Sequence, residues 1–218
     1  MEEQKTNQLA VGTPEEELKE CHKKLGIAMS LLFKEPTDAN AKRTIEIFGD
    51  IESLTFDLLS ETLLCQYLLC YFISSNPERA RYLWKRTLPA GKDGANVKNV
   101  WALGKLLIRK EYPLVFRCIA STTWPEELKL LVEVLSSVHR ERMAGLIARA
   151  YTFVELAKVQ TLLGIDDAKE LERFLETRRM RVQGQFVQTP EKEAEEEFAL
   201  SKERIEAVSA IVQFLEKS

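Results

Sequence analysis

The stretch RAYTFVELAKVQTLLGIDDAKELERFLETRRMRVQGQFVQTP, residues 149–190, is where helical patterning gives way to short β-type runs. Runs rich in β-branched and aromatic residues predict strands, and longer runs with apolar residues at helical spacing predict helices. In chain order the predicted elements are a strand at 152–154, helices at 156–163 and 166–177, and strands at 180–182 and 185–187. Gly164 ends the first helix, and Gly184 lies in the turn between the last two strands.

This order of elements predicts a winged helix, a module that either reads nucleic acid through its second helix or docks on protein through its strand edges. A three-stranded sheet has two edges, whose unpaired backbone groups a partner can extend or cover. For protein docking we expect contacts at Met180, Val182, Phe186 and Val187. We also expect a charge at Phe186 or Val187 to weaken partner binding more than it lowers thermal stability.

The wing of this module is the predicted hairpin of its last two strands, residues 180–187. Nucleic-acid binding is the alternative, and it depends on Arg178, Arg179 and Arg181, the candidate basic contacts near the start of the wing. Against it, Asp166 and Asp167 open the second helix, where base-reading modules usually place donors. The sequence also carries 31 basic and 34 acidic residues, a formal net charge of -3, whereas phosphate binding usually requires a basic excess. We therefore expect a protein-docking module.

The sequence upstream of this module predicts antiparallel helix pairs resembling tetratricopeptide repeats, although it has no strict repeat period. Thr13-Pro14 and Asn76-Pro77 predict helix starts, because proline is favoured at the first helical position. A shorter helix is predicted at residues 38–48. Residues 56–72 predict a helix that is apolar around most of its circumference, which we expect at the centre of the core.

The last part of the chain predicts one more helix with a wide apolar face. Its apolar residues are Ile205, Val208, Ile211, Val212 and Leu215. Such a helix either folds back on its own chain or joins partner helices. The preceding run QTPEKEAEEE, residues 188–197, is acidic and lacks packing residues, which favours contact with partner helices.

The expected fold is therefore mainly α: antiparallel helical repeats, a winged-helix subdomain and a C-terminal helix. The expected segments are a disordered N-terminus at 1–13, a helical-repeat domain at 14–138, the winged helix at 139–189, a linker at 190–197 and a bundle helix at 198–218.

Three stretches of the sequence carry a family resemblance: ARYLWKR at residues 80–86, PAGK at 89–92 and VWALGK at 100–105. They closely resemble the family of subunit eight of the COP-nine signalosome, the smallest PCI-type subunit of that complex. The resemblance covers residues 55–218, and the first fifty or so residues depart from it. It continues through YP at 112–113, Trp124, AY at 150–151, LG at 163–164 and FLE at 214–216.

The resemblance implies a PCI domain that acts as a non-catalytic scaffold in a complex removing a ubiquitin-like modifier from cullins. It implies that winged helices of several subunits pack side by side and that their C-terminal helices share a bundle. The implied partners are other PCI-type subunits and metalloprotease-type subunits, rather than a second copy of this chain. The alternatives are a subunit of the proteasome lid or of a translation-initiation complex, or a winged-helix nucleic-acid binder.

The sequence offers little to support catalysis, and we expect neither an enzyme nor a cofactor. His22 and His139 lie in separate predicted helices, outside the spacing of zinc-binding motifs. Cys65 and Cys70 are five residues apart on one helix, a spacing that favours apolar packing over joint chemistry. Trp84 and Trp101 each stand in an apolar helical stripe, so we expect them to pack rather than to anchor a partner.

Cysteine usage and the apolar runs predict where the protein resides. The four cysteines form no CxxC pair, which favours a reducing compartment. The N-terminus is acidic and polar, and residues 58–73 are interrupted by polar side chains, so we expect no signal or membrane segment. The expected location is the cytoplasm and the nucleus.

Overall fold

The computed structural model describes residues 13–55 and 59–190, together with Ile205 and Ser209. The chain divides into two units, which are described separately below. The first comprises Met1–Met143 and Thr161–Gly164, and the second comprises Ala144–Gln160 and Ile165–Ser218. Within the described residues the fold is mainly helical with one small sheet, which confirms the predicted fold class. No described helix is both long enough and apolar enough to cross a membrane.

The helices up to residue 150 are α1 (Pro14–Lys34), α2 (Asp38–Thr55), α3 (Glu61–Ile73), α4 (Pro77–Arg86), α5 (Ala95–Ile108), α6 (Tyr112–Ser121) and α7 (Glu126–Ala150). A 3₁₀ turn, Pro89–Lys92, lies between α4 and α5. The later elements are β1 (Phe153–Glu155), α8 (Leu156–Leu163), α9 (Ala168–Glu176), β2 (Arg181–Gln183) and β3 (Phe186–Gln188).

Helix α3 forms the centre of the first unit, where it packs against α2, α4 and α5. Nine of its thirteen residues are buried, so it is covered on several sides as its apolar pattern predicted. Its contact with α5 depends on Gly104, because a Cβ atom there would lie 2.2 Å from Cζ of the buried Phe72. A larger residue at this position would force the two helices apart.

Local capping explains several helix ends in the first unit. The backbone N–H of Thr13 donates to the Glu16 carboxylate at 3.2 Å, so α1 begins at Pro14 as predicted. The Ser60 hydroxyl accepts a hydrogen bond from the Leu63 N–H at 3.3 Å and starts α3 at Glu61. The prediction included residues 59 and 60 in this helix and was wrong there, because both precede α3; its predicted first residue, Phe56, lies outside the described residues.

Helix α2 is longer than predicted. It continues to Thr55 instead of ending at Phe48, because Ile51 extends its buried apolar stripe by another turn. The predicted boundary between the helical repeats and the winged helix, at residues 138–139, falls inside the continuous helix α7.

The second unit contains the antiparallel sheet, with strand order β1-β3-β2. The order strand, helix, helix, strand, strand matches the predicted winged helix, and each strand lies one residue later than predicted. Asp167 begins α9 by accepting a hydrogen bond from the Lys169 N–H at 3.1 Å. Gly184 adopts φ +61 in the turn before β3, a conformation that glycine tolerates best.

Candidate interaction surface

One face of the sheet in the second unit is turned toward the interior of that unit. Val154 on β1 lies opposite Val187 on β3, which lies opposite Val182 on β2. Val154 and Val187 are buried, whereas Val182 on the edge strand is 41% exposed. Residues next to them along each strand must point to the opposite face, because side chains alternate with a period of two.

The opposite face of the sheet presents two phenylalanines to solvent. Phe153 on β1 is 54% exposed, and Phe186 on β3 is 52% exposed. The register places Phe153 opposite Gln188 and places Glu155 opposite Phe186, so the two phenylalanines are diagonal neighbours. Diagonal pairs on a sheet are roughly 7–8 Å apart, which is within reach of aromatic side chains. We name this face, with Phe153 and Phe186 at its centre, the outer sheet face.

Arginine side chains border the outer sheet face on its β2 side. Arg181 lies opposite Gln188, in the same cross-strand row as Phe153. Exposed Arg179 and Arg181 line a shallow groove of about 390 Å³ together with Gln188, Thr189 and Pro190. The outer sheet face therefore combines an apolar centre with a basic margin, a composition suited to protein contacts.

The sheet also has two outer edges, because β3 pairs on both sides and β1 and β2 each pair on one side only. The start of β1 is tied to the end of β3: the Thr189 hydroxyl donates to the Tyr151 carbonyl at 2.5 Å, and the Thr189 N–H donates to the Thr152 carbonyl at 3.0 Å. The outer edges of β1 and β2 carry backbone groups to which a further strand could add.

The four predicted docking residues of the wing divide between surface and core. Val182 and Phe186 are exposed, whereas Met180 is 4% exposed and Val187 is fully buried. Met180 and Val187 therefore belong to the packing of the second unit itself. A charge at Val187 was expected to weaken partner binding more than thermal stability. Because Val187 is buried, we now expect the charge to lower thermal stability directly.

The three arginines near the wing have different surroundings. The Arg178 guanidinium lies 3.5 Å from the Phe174 ring centroid, and it donates to the Phe174 carbonyl at 2.7 Å. Burial lowers the pKa of Arg178 from its ordinary value. Arg178 therefore stabilises the end of α9, and Arg179 and Arg181 are the two arginines exposed beside the outer sheet face.

The sequence prediction missed Phe153, one of the two phenylalanines at the centre of the outer sheet face. The signal was present in the alternation of residues along the first strand: with Val154 buried, both Phe153 and Glu155 must face outward. The predicted residues of the C-terminal helix Val208, Ile211, Val212 and Leu215 lie outside the described residues. Ile205 is helical and 67% exposed.

The two histidines and Cys65 lie in different surroundings. His22 is exposed on α1, with its Nδ1 atom 2.8 Å from the Leu18 carbonyl oxygen, whereas His139 is buried on α7. Burial, with the nearby Arg142 charge, lowers the pKa of His139 to about 4. Burial also raises the pKa of the Cys65 thiol to about 12. Among the described residues, no group of His, Cys, Asp and Glu is placed to hold a metal ion.

The fold and the outer sheet face together define the class. Helical repeats followed by a winged helix with an exposed sheet surface are the architecture of a PCI-type protein. The chain belongs to the CSN8/PSMD8/EIF3K family, whose model matches residues 58–216. Helices α1 and α2 precede the matched region.

Individual relatives agree with this family. The chain is similar to proteins named COP9 signalosome complex subunit 8. The protein from Danio rerio is 32% identical over 101 residues, 45% of this chain and 52% of that relative. The Arabidopsis thaliana protein is 32% identical over 105 residues, 47% of this chain and 53% of that relative. The Xenopus tropicalis protein is 26% identical over 112 residues, 51% of this chain and 58% of that relative. The chain spans about half the length of the curated relatives it matches.

Proposed function

We propose that the protein is a non-catalytic scaffold subunit of a signalosome complex that removes a ubiquitin-like modifier from the cullins of cullin-RING ubiquitin ligases. The observation that carries this proposal is the outer sheet face, where Phe153 on the edge strand β1 and Phe186 on the central strand β3 are each more than half exposed. Exposed aromatic side chains of this kind are typical of protein interfaces. The names of the relatives indicate which complex the interface would serve.

The proposed partners are other PCI-type subunits, bound through the edges and outer sheet face of the winged helix. Metalloprotease-type subunits would be bound through the helix that the sequence predicts at residues 198–218. In this arrangement the chemistry belongs to a metalloprotease-type subunit, since that reaction requires a histidine pair and carboxylates around zinc. His22 is exposed on α1, His139 is buried on α7, and no group of His, Cys, Asp and Glu among the described residues is placed to hold a metal ion, which supports a role without catalysis.

Nucleic acid is a weaker proposal for the winged helix. Asp166, Asp167 and Glu170 are exposed around the start of α9, where they would repel the phosphates of a duplex. Protein docking requires no such contact. We further propose that the protein works in the cytoplasm and the nucleus, which cell fractionation with an antibody to the endogenous protein would test.

Native co-purification followed by mass spectrometry tests the scaffold proposal. The expected result is stoichiometric recovery of other PCI-type chains and metalloprotease-type signalosome chains. Recovery of proteasome-lid or initiation-complex chains would instead support one of the alternative assemblies. Recovery of nucleic acid without partner chains would contradict a scaffold role.

The outer sheet face is tested by Phe186→Asp, with Gln185→Asp as the matched control. Both residues are exposed and adjacent, so the two variants introduce the same charge, but only the first disrupts the apolar centre. We expect Phe186→Asp to reduce co-purification of the neighbouring subunit about tenfold or more, and Gln185→Asp to leave it near wild type. Equal recovery with both variants would exclude the outer sheet face from the interface.

The C-terminal helix is tested by truncation after residue 197. We expect the shortened chain to remain folded and soluble but to be incorporated less well into the complex, because the final helix is proposed to pack against partners. Circular dichroism and size-exclusion chromatography report folding, and co-purification reports incorporation. Unfolding of the shortened chain would mean that the helix belongs to the core of this protein.

A further inference from the structure

Basic residues are concentrated in one part of the first unit. Residues 77–110, which include α4, the 3₁₀ turn and α5, contain nine basic and two acidic residues. The local charge is therefore +7, whereas the whole chain has a formal net charge of -3. This region includes the three stretches that carry the family resemblance, and the scaffold proposal assigns no role to its charges.

A pair of stacked tryptophans organises this region. Trp84 on α4 and Trp101 on α5 have ring centroids 4.5 Å apart and planes inclined by only 4°. Both side chains are partly buried against the core, which agrees with the predicted packing role. The Lys92 ammonium lies 5.3 Å from the centroid of the Trp84 ring, so the 3₁₀ turn contacts one member of this pair.

Helical spacing places further basic side chains beside the tryptophans. Arg81 precedes Trp84 by three residues on α4, and both Lys98 and Lys105 lie one turn from Trp101 on α5. Residues three or four apart are neighbours on a helix surface. All three basic side chains are exposed. We name this region the basic tryptophan surface, formed by Arg81, Trp84, Lys92, Lys98, Trp101 and Lys105.

Ion pairs within the chain neutralise this surface only in part. Arg81 pairs with Glu78 at 3.0 Å and Lys98 with Asp93 at 3.9 Å, and all four side chains are exposed to solvent. Exposed pairs contribute little to stability. Lys105 forms no ion pair with the residues that the structure describes. The positive charges around the two tryptophans repel one another, and this repulsion lowers the stability of the isolated chain.

Arg86 on α4 differs from these basic residues, because its charge is paired inside the first unit. Its Nε atom donates to Oε1 of Glu52 on α2 at 2.5 Å, and its Nη2 atom donates to Oε2 of the same carboxylate. Glu52 is 9% exposed, so this bidentate pair links α2 to α4 inside the first unit. The basic tryptophan surface has no comparable acidic partner among its described neighbours.

We propose that the basic tryptophan surface binds an acidic segment of a partner protein. Lys98 and Lys105 are seven residues apart, which is about 10 Å along a helix. That distance corresponds to about three residues of extended peptide, so nearby carboxylates in one segment can reach both ammonium groups. An apolar side chain of the same segment would contact the exposed edges of the indole rings. This inference does not depend on the identity of the complex.

Nucleic acid fits this surface less well than an acidic peptide. The +7 of residues 77–110 leaves the rest of the chain with a charge of -10, which would repel a long polyanion. A short acidic segment would feel only the local field, because charge interactions are screened beyond about 10 Å at ordinary ionic strength.

Fluorescence anisotropy with the full chain tests the proposal. The probe is a fluorescein-labelled peptide of six glutamates flanking two leucines, and a labelled single-stranded DNA oligonucleotide of matched charge serves as the comparison. The test variant is Lys98→Glu with Lys105→Glu. The control variant is Lys19→Glu with Lys23→Glu, which changes the net charge equally at two exposed positions on α1. Circular dichroism checks that both variants are folded.

We expect the Lys98 and Lys105 reversal to weaken peptide binding about tenfold or more, and the α1 control to change it by less than about twofold. We also expect peptide binding to weaken as salt rises, since the contacts are between exposed charges. An equal effect of the two variants would overturn the proposal, because only the net charge would then matter. Tighter binding of the oligonucleotide, lost in the same variant, would assign the surface to nucleic acid instead.

Discussion

The pH dependence of stability should be set in part by His139, which is buried on α7. It is 8% exposed, and its Nε2 atom has no hydrogen-bond partner among the described residues. Burial is the largest reason why its pKa falls from 6.5 to about 4, and the positive charge of Arg142 lowers it further. The folded protein therefore keeps His139 neutral at a pH where the unfolded chain already binds a proton.

The sign and size of the effect follow from this difference in pKa. A depressed pKa in the folded state means that the stability is fully present above pH 6.5 and is lost as the pH falls toward 4. Between about pH 7.5 and pH 5, His139 should lower the free energy of unfolding by about 2 kcal/mol, since one pKa unit corresponds to about 1.4 kcal/mol. Carboxylates that titrate in the same range add a background common to all variants.

Urea denaturation at both pH values isolates the contribution of His139. The variants are His139→Gln and His22→Gln, which change the two histidines of the sequence one at a time. We expect the wild type and the exposed His22→Gln control to lose about 2 kcal/mol more than His139→Gln between pH 7.5 and pH 5. If His139→Gln shows the same pH dependence as the wild type, the buried environment of His139 is not what lowers stability in acid.

Two further predictions concern packing. Gly104→Ala should lower the free energy of unfolding by about 1–3 kcal/mol in a urea titration, because the new Cβ atom would collide with Phe72. The control is Gly26→Ala on α1, where a Cβ atom meets nothing within 4 Å, so this variant should be neutral or stabilising. Similar losses of stability in both variants would contradict the collision. In thermal denaturation, Val187→Asp should lower the melting temperature by roughly 10 °C or more and Phe186→Asp by only a few degrees, since Val187 alone is fully buried. A larger loss from Phe186→Asp would reverse the assignment of the two sheet faces.

Local signals predicted many elements of the fold with small errors. Proline after a capping residue marked the starts of α1 and α4, and the bounds of α8 agree with those predicted. Gly164 was predicted to end α8, and it adopts φ +61 there. The errors concern the end of α2, which continues to Thr55, and the start of α3, which the Ser60 cap sets at Glu61. Local sequence determines such ends only when the capping residue is recognised.

The candidate interaction surface was less predictable than the fold. The alternation of residues along β3 places Phe186 and Val187 on opposite faces, but alternation alone does not show which face meets the core. The folded structure shows it: Val187 and its cross-strand neighbour Val154 are buried, whereas Phe186 is exposed. The prediction therefore grouped Met180 and Val187 with the exposed residues Val182 and Phe186.

The sequence by itself determined the class of the protein: the order of helices and strands, the winged helix after the helical repeats and the family to which it belongs. These depend on periodicity, caps and turns, which act over a few residues. Only the tertiary structure decided which side chains are exposed to solvent. It paired Arg86 with Glu52, 34 residues away in sequence, stacked Trp84 on Trp101, and placed the Lys92 ammonium over the Trp84 ring. Such contacts join segments that no local pattern relates, because they form only when the helices pack.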